Sequence, residues 1–359
     1  MTALAVIAAP ATATAAPMGV DRAGLQRGLD GLVAAGAVGV LAEVRDQDGV
    51  WRGASGVAEL RTTRPVPVHG RFRAGSITKT FVATVVLQLV SEGRLRLDDT
   101  VEAWLPGVVP DGHRITVRHL LNHTSGLYDV VRTLPMPPKQ EFLDNRWRTW
   151  TAAELVARAV ANPATFEPPG SAYAYSNTGY LLLGQIVEEA TGRSYKEEIN
   201  SRLIRPLWLS GTSLPGTSTR IRGPHPHGYV PISQDGELLD YTRMNPSVFG
   251  AGGEMISTAR DLNRFFAALL GGRLLPGQLL DEMMTPGIDG GLMYGLGLAW
   301  WDTSCGIRVY GNDGDAVAYQ SWSFSTQDRR HQVTVALTPN FRADLDDAVD
   351  AFLDEAVCT

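Results

Sequence analysis

Residues 73–81 read RAGSITKTF and lead directly into VATVVLQLV at 82–90. Ser76 and Lys79 stand three positions apart, on one face of the helix they begin. The stretch behind them is apolar on nearly every side, the pattern of a helix buried all round, with Gly93 as its C-terminal stop. A lysine at the entrance of such a helix loses water, and desolvation disfavours the ammonium and lowers its pKa. An amine so placed beside a serine hydroxyl can take its proton and make the serine a nucleophile. The bare four-residue pattern also describes a serine N-cap followed by a surface lysine. The rest of the chain has to decide between them.

Towards the N-terminus, residues 21–35 carry Leu25, Leu29, Leu32 and Val33 at helical spacing. The following VGVLAEVRDQDGVWRGASGVAEL holds two strand-like runs about an Asp-Gln-Asp-Gly turn at 46–49 and predicts a hairpin. On the other side, short helices and loops run to about residue 280, with TAAELVARAV, NTGYLLLGQIVEEATG and TARDLNRFFAALLGG the clearest helices. The Gly-, Pro- and Ser-rich stretch 212–250 is expected on the surface. Strands return in YGLGLAWWD, GIRVYG, AVAYQSWSFST and HQVTVALTP, and LDDAVDAFLDEAV is a final helix. Strands at both ends of a helical insert imply one antiparallel sheet assembled from both termini. The expected fold is therefore α/β (α+β): a sheet lobe over about 21–75 and 285–359, flanked by helices, and an all-helical lobe over about 76–284. A cleft between two such lobes is where a ligand site belongs.

At 359 residues the chain is too long for one small core. Its formal charge of −6 and lack of any basic run exclude a nucleic-acid footprint. The opening MTALAVIAAPATATAAP is apolar and rich in small residues, too short to span a bilayer. It resembles the end of a secretory signal, although no Lys or Arg precedes the apolar part. Residues 1–16 are accordingly expected to be a signal remnant, and the protein secreted, without a stable membrane anchor and monomeric. In an exported protein the two cysteines, Cys305 and Cys358, invite one disulfide. His225 and His227 lie two apart in a Pro-rich loop with no third ligand in view, so neither metal nor cofactor is expected. Trp300, Trp301 and Trp322 fit a strand core better than a cleft wall.

Two further motifs settle the reading of Ser76 and Lys79. AYAYSNTGYLLLG places Tyr175 and Asn177 two apart at the entrance of another apolar helix, and Asn312-Asp313-Gly314 lies between two strand-like runs. The blocks FRAGSITKTF, RITVRHLLNHTSGLYD, PPGSAYAYSNTGYLLLGQIVEEATG and GGEMISTARDLNRFF stand in the order of a known family. From about residue 21 to its end, the chain resembles the serine β-lactamase and penicillin-binding-protein superfamily. It is most similar to the class C-like branch that holds the soluble secreted D-alanyl-D-alanine carboxypeptidases.

The resemblance implies the β-lactamase/transpeptidase-like fold and a catalytic set. Ser76 is the implied nucleophile of an acyl-enzyme, Lys79 its base and Tyr175 the proton shuttle. Asn177 holds the substrate amide, with Asn312, Asp313, Gly314 and Asp315 also against the substrate. The backbone N–H groups of Ser76 and Asp315 form the implied oxyanion hole. The positions of Cys305 and Cys358 resemble the disulfide of the carboxypeptidase. His123 is read as scaffold, and Glu254 is kept because its neighbours in the family approach the substrate.

The departures lie in the third motif, which the family writes Lys-Thr-Gly or His-x-Gly. Asn312 keeps an amide but carries no proton or positive charge. The strand that supplies a carboxylate-binding arginine in the carboxypeptidases reads Ala299-Trp300-Trp301 here, and Asp313 and Asp315 fall where hydroxyls are expected. The leading expectation is a carboxypeptidase-type serine hydrolase acting on a small peptide or peptide-like substrate, β-lactams included. The alternatives are an esterase, amidase or transacylase on a substrate lacking a free C-terminal carboxylate, and a penicillin-binding sensor that turns over slowly. The two aspartates either repel a carboxylate or turn away to hold their own turn.

Overall fold

The computed structural model describes residues 21–233, 235–288 and 293–358; the expected signal remnant at 1–16 lies outside them. Helix α1 (Arg22–Ala35) starts where the Asp21 side chain accepts the Ala23 N–H, and it buries Leu25, Leu29 and Leu32. Strands β1 (Ala37–Asp46) and β2 (Gly49–Gly56) then form the expected hairpin, with Asp46 opposite Gly49. Helix α2 (Thr78–Ser91) buries eleven of its fourteen residues. It ends before Gly93, which takes the left-handed conformation at φ 70°.

After the insert come β3 (Ala299–Asp302), β4 (Arg308–Asp315), β5 (Gln320–Thr326) and β6 (Gln332–Pro339). They complete a six-stranded antiparallel sheet in the order β2-β1-β6-β5-β4-β3. The first hairpin thus pairs with the last strand, so neither terminus closes the sheet alone. β6 is buried at every position. One face of the sheet is covered by α1 and the final helix, α3 (Asp346–Cys358). The other is covered by the insert, including α4 (Ala259–Leu270). Asn263 of α4 locks that face: its Nδ2 donates to the Glu43 carbonyl at 3.1 Å, and its Oδ1 accepts from Thr334 at 2.7 Å.

Three expectations are adjusted. The insert is not all-helical, because Tyr229–Pro231 and Leu238–Asp240 pair as a two-stranded ribbon. Of the expected strand 294–302 only β3 forms. Gly297 there is left-handed (φ 78°) and packed so tightly on α2 that an added Cβ would meet that of Ala83 at 2.3 Å. The stretch 212–250 is not simply surface: Tyr241, Met244 and Asn245 are buried. The three tryptophans belong to the sheet, Trp300 buried and Trp301 and Trp322 packed against the core beneath α1 and α3.

The Cys305 and Cys358 sulfurs are joined, with their Cα atoms 5.9 Å apart, which ties the end of α3 to the turn after β3. On the chain-entropy model a loop of this length is worth roughly 4 kcal/mol. Replacing both cysteines by serine is expected to lower the denaturation midpoint measured under oxidising conditions, and dithiothreitol to lower that of the parent protein to match. Identical midpoints for parent and variant would show that the link contributes nothing.

Candidate active site

Ser76 sits in a single tight turn, Gly75–Ile77, immediately before α2. Its hydroxyl opens on the cleft while Lys79, one turn on, is 0% exposed. Lys79 Nζ stands 2.9 Å from Ser76 Oγ, 2.8 Å from Asn177 Oδ1 and 2.6 Å from the Gly252 carbonyl. Neither carboxylate that influences it, Asp129 or Asp313, forms an ion pair with it. Burial therefore dominates and holds the amine at a pKa of about 7, with the two carboxylates pulling weakly the other way. A neutral amine has two hydrogens and one lone pair. The three neighbours suit both forms: an ammonium donates to all three oxygens, and a neutral amine donates to Asn177 Oδ1 and the Gly252 carbonyl and turns its lone pair to the Ser76 hydroxyl.

Helix α5 (Asn177–Thr191) brings in the second motif. Tyr175 Oη donates to Ser76 Oγ at 2.7 Å. Burial, with the neighbouring Tyr294 adding to it, pushes the Tyr175 phenol well above its ordinary pKa, so it rests as a proton donor. The Asn177 amide is oriented by Asp129, whose Oδ1 accepts from its backbone N at 3.0 Å and its Nδ2 at 3.1 Å. That leaves Asn177 Oδ1 aimed at Lys79. His123 is buried beneath, its Nδ1 accepting the Ser176 N–H at 3.2 Å and its ring 4.3 Å from that of Tyr175. Desolvation, and then the Lys79 charge, keep it neutral, in a scaffold position.

The end of β4 forms the opposite wall. A Cβ on Gly75 would lie 2.7 Å from the Asp315 nitrogen, and one on Gly314 would lie 2.0 Å from the Ala74 carbonyl oxygen and 3.0 Å from the Ser76 nitrogen. Only glycines permit this approach, and it sets the Ser76 and Asp315 amides side by side. Asn312 is 3% exposed. Its Nδ2 donates to Thr80 Oγ1 at 3.1 Å, which fastens β4 to α2, and its Oδ1 accepts the Asp313 N–H at 3.1 Å within the strand.

The two aspartates differ. Asp315 Oδ1 accepts the Val317 N–H at 2.6 Å and holds a tight turn in which Val317 takes φ 64°. Among the described residues, the Asp313 carboxylate accepts no hydrogen bond from another residue's side chain. Both are solvent-reached residues on the cleft wall, yet the surrounding protein desolvates them enough to raise both carboxyls above the usual range.

The cleft is a cavity of about 560 Å³. Its lining joins Ser76, Tyr175, Tyr173 and Asp313 with an apolar wall built from Val131, Leu134, Phe142, Trp150, Met244 and Phe249. The sequence did not point to that wall, because it comes from irregular loops without periodicity. Asp129 and the Gly252 carbonyl were missed too. Asp129 had a legible signal, as the acid closing HTSGLYD; a backbone carbonyl has none. His225 and His227 are half-buried in another loop, the latter bonded to Asp240 at 2.6 Å.

The profile of the Beta-lactamase family matches residues 25–357. The chain belongs to that family. Among solved structures it is similar to a D-stereospecific amidohydrolase from Streptomyces sp., with a TM-score of 0.85 and 40% identity over 92% of this chain and 98% of that one. It is also similar to the D-amino acid amidase from Ochrobactrum anthropi SV3, with a TM-score of 0.80 and 28% identity over 93% and 98%. Penicillin-binding protein 4 of Amycolatopsis lactamdurans is 31% identical over 73% of this chain and 70% of its own length. The first curated relatives are spanned to between 33% and 70% of their length. These family members are amidohydrolases and penicillin-binding proteins, not specifically carboxypeptidases. The protein is a β-lactamase-family serine hydrolase.

Proposed function

We propose that this hydrolase cleaves amides of amino acids, and short aminoacyl peptides, that carry a free, protonated amine beside the scissile carbonyl. Ser76 Oγ attacks the carbonyl as Lys79 takes its proton. The oxyanion is held by the Ser76 and Asp315 backbone N–H groups, each worth roughly 3 kcal/mol in such a position. Tyr175, kept as a phenol, passes its proton to the departing nitrogen and is restored by the proton Lys79 took from Ser76, so the C–N bond breaks with release of a neutral amine, formation of a Ser76 ester and both groups back in their starting forms. Water activated through the same groups hydrolyses the ester and regenerates the hydroxyl. Asn177 serves the amide of the substrate as well as Lys79.

One observation carries the choice of substrate: the cleft wall bears Asp313, whose carboxylate accepts no hydrogen bond from another residue's side chain, and among the described residues no Arg or Lys lines the cavity. A carboxylate on the cleft wall gains from an incoming ammonium and repels a carboxylate. This favours an amidase over the carboxypeptidase expectation and disfavours β-lactams, which carry a carboxylate. The apolar wall suits a bulky side chain, and a D configuration is carried over from the two solved amidohydrolases.

Kinetics on D-phenylalanine amide, its N-acetyl derivative and an N-acyl-D-Ala-D-Ala peptide test this. Acetylation is expected to lower kcat/KM by about 10- to 100-fold, the worth of a charge-assisted hydrogen bond. Asp313→Asn should remove most of that difference. Faster release of D-Ala from the acylated peptide than of ammonia from the free amino amide would overturn the proposal.

A further inference from the structure

Glu254 is 1% exposed, and among the described residues no Lys, Arg or His nitrogen lies within ion-pair distance of it. Its two oxygens are nonetheless both engaged. Oε1 accepts a very short hydrogen bond from Tyr195 Oη, and Oε2 accepts the Gly216 N–H at 2.6 Å. Desolvation lifts its pKa, and the Tyr195 hydroxyl, the nearby Lys196 charge and the Gly216 N–H oppose the shift. A buried carboxylate with no ion pair is costly to keep, so its surroundings bear on function.

Immediately before it lies the glycine turn Gly250–Gly252, followed by Gly253. That turn supplies the Gly252 carbonyl 2.6 Å from Lys79 Nζ. It approaches the site so closely that a Cβ on Gly252 would stand 3.3 Å from Asn177 Oδ1. The glycines permit this contact but bring no side chains to it; within the turn the buried Ala251 packs towards Gly184 of α5, and backbone bonds from Gly252 N to the Phe249 carbonyl and from Gly253 and Glu254 N to the Gly250 carbonyl close the loop. On the far side of Glu254, Met255 is stitched to the nucleophile's own segment, its N–H donating to Thr78 Oγ1 at 3.1 Å and its carbonyl accepting the Ala74 N–H at 2.8 Å. Glu254 is the first side chain after the turn, tied at both oxygens to the helix Tyr195–Ile199 and the loop at Gly216.

We propose that Glu254 is a positioning residue: clamped by Tyr195 and Gly216, it fixes the Gly252 carbonyl that aims the Lys79 amine at Ser76. It touches neither substrate nor reacting atoms and acts through the backbone. This inference rests on the proposed role of Lys79 as base. Released from the clamp, the carbonyl moves, the amine loses one of its two acceptors and its lone pair no longer points at the hydroxyl. Misplacements of that size cost up to about 100-fold in rate. A carbonyl also favours the charged form of an amine, so its loss moves the Lys79 midpoint to lower pH.

The test compares Glu254→Gln, Tyr195→Phe and the double variant, each first shown to be folded by circular dichroism. Tyr195→Phe removes one hydroxyl and spares the carboxylate, which keeps the test open if Glu254→Gln fails to fold. Expected are a 10- to 100-fold loss in kcat, a smaller change in KM, an acid-shifted midpoint in the pH dependence of kcat/KM, and a double variant no worse than the weaker single one. Folded variants with the parent's kcat and midpoint, or losses that multiply in the double variant, overturn the proposal. If the parent protein itself shows no ionisation near neutrality and no acylation at Ser76, the role of Lys79 has failed instead.

Discussion

Ser76→Ala is expected to abolish turnover and covalent labelling together, with kcat/KM on a D-amino-acid amide falling by at least about 10⁴-fold. Removing a nucleophile from a coupled catalytic unit costs as much as removing the whole unit, because what remains is only binding and the oxyanion donors. Here the coupling is visible in the geometry: the hydroxyl at 76 is the common partner of Lys79 at 2.9 Å and Tyr175 at 2.7 Å, and both lose it at once. The change should leave the fold alone. Ser76 is only half-buried in a short turn, and the turn is held by backbone and by Thr78 Oγ1 donating to the Gly75 carbonyl at 2.6 Å. Intact mass after a quench with a slow ester substrate checks the covalent arm, and a melting curve checks the fold. An adduct that persists in Ser76→Ala would place the nucleophile elsewhere.

Much of this site was legible because its chemistry is local. Ser76 and Lys79 are one turn apart, and a buried helix leaves a clear pattern, so the cause of the lysine's lowered pKa is written beside it in the chain. Tyr175 and Asn177 are marked in the same way, at the entrance of α5. The antiparallel sheet was legible from the return of alternating runs near residue 300, though not its register. What escaped notice acts through long separations or through backbone. Asp129 reaches Asn177 across 48 positions. The Gly252 carbonyl reaches Lys79 across 173, and no residue type announces a carbonyl. The aspartates show a third limit. Sequence placed Asp313 and Asp315 together, with repulsion and turn-holding as rival readings. The structure shows the turn-holding reading for Asp315, through its bond to the Val317 N–H, while the repulsion reading remains the one proposed for Asp313.

Lys79→Arg is expected to cost about 10³- to 10⁴-fold in kcat/KM, the upper range for losing a positioned base, and to erase the pH dependence near neutrality. A guanidinium stays protonated at any working pH, so neither substrate nor pH can restore a base there. In the parent protein the amine's pKa of about 7 makes kcat/KM rise with pH through that value and level off above it. Stability is linked to the same proton. An unfolded lysine keeps its proton up to about 10.5, the folded one only to about 7. Between those values the unfolded chain binds one proton more, so this group makes stability rise with pH across the window, and its full cost is present below 7. Lys79→Met, which fills the same channel without an ionisable group, should therefore melt less steeply with falling pH than the parent between about 10 and 7, while being inactive throughout. Parallel melting curves for the two across that range, together with a flat rate profile in the parent, would falsify the desolvated amine. Serine activation in this cleft would then need another base, and neutral His123, with its Nδ1 already given to Ser176, is not placed to supply one.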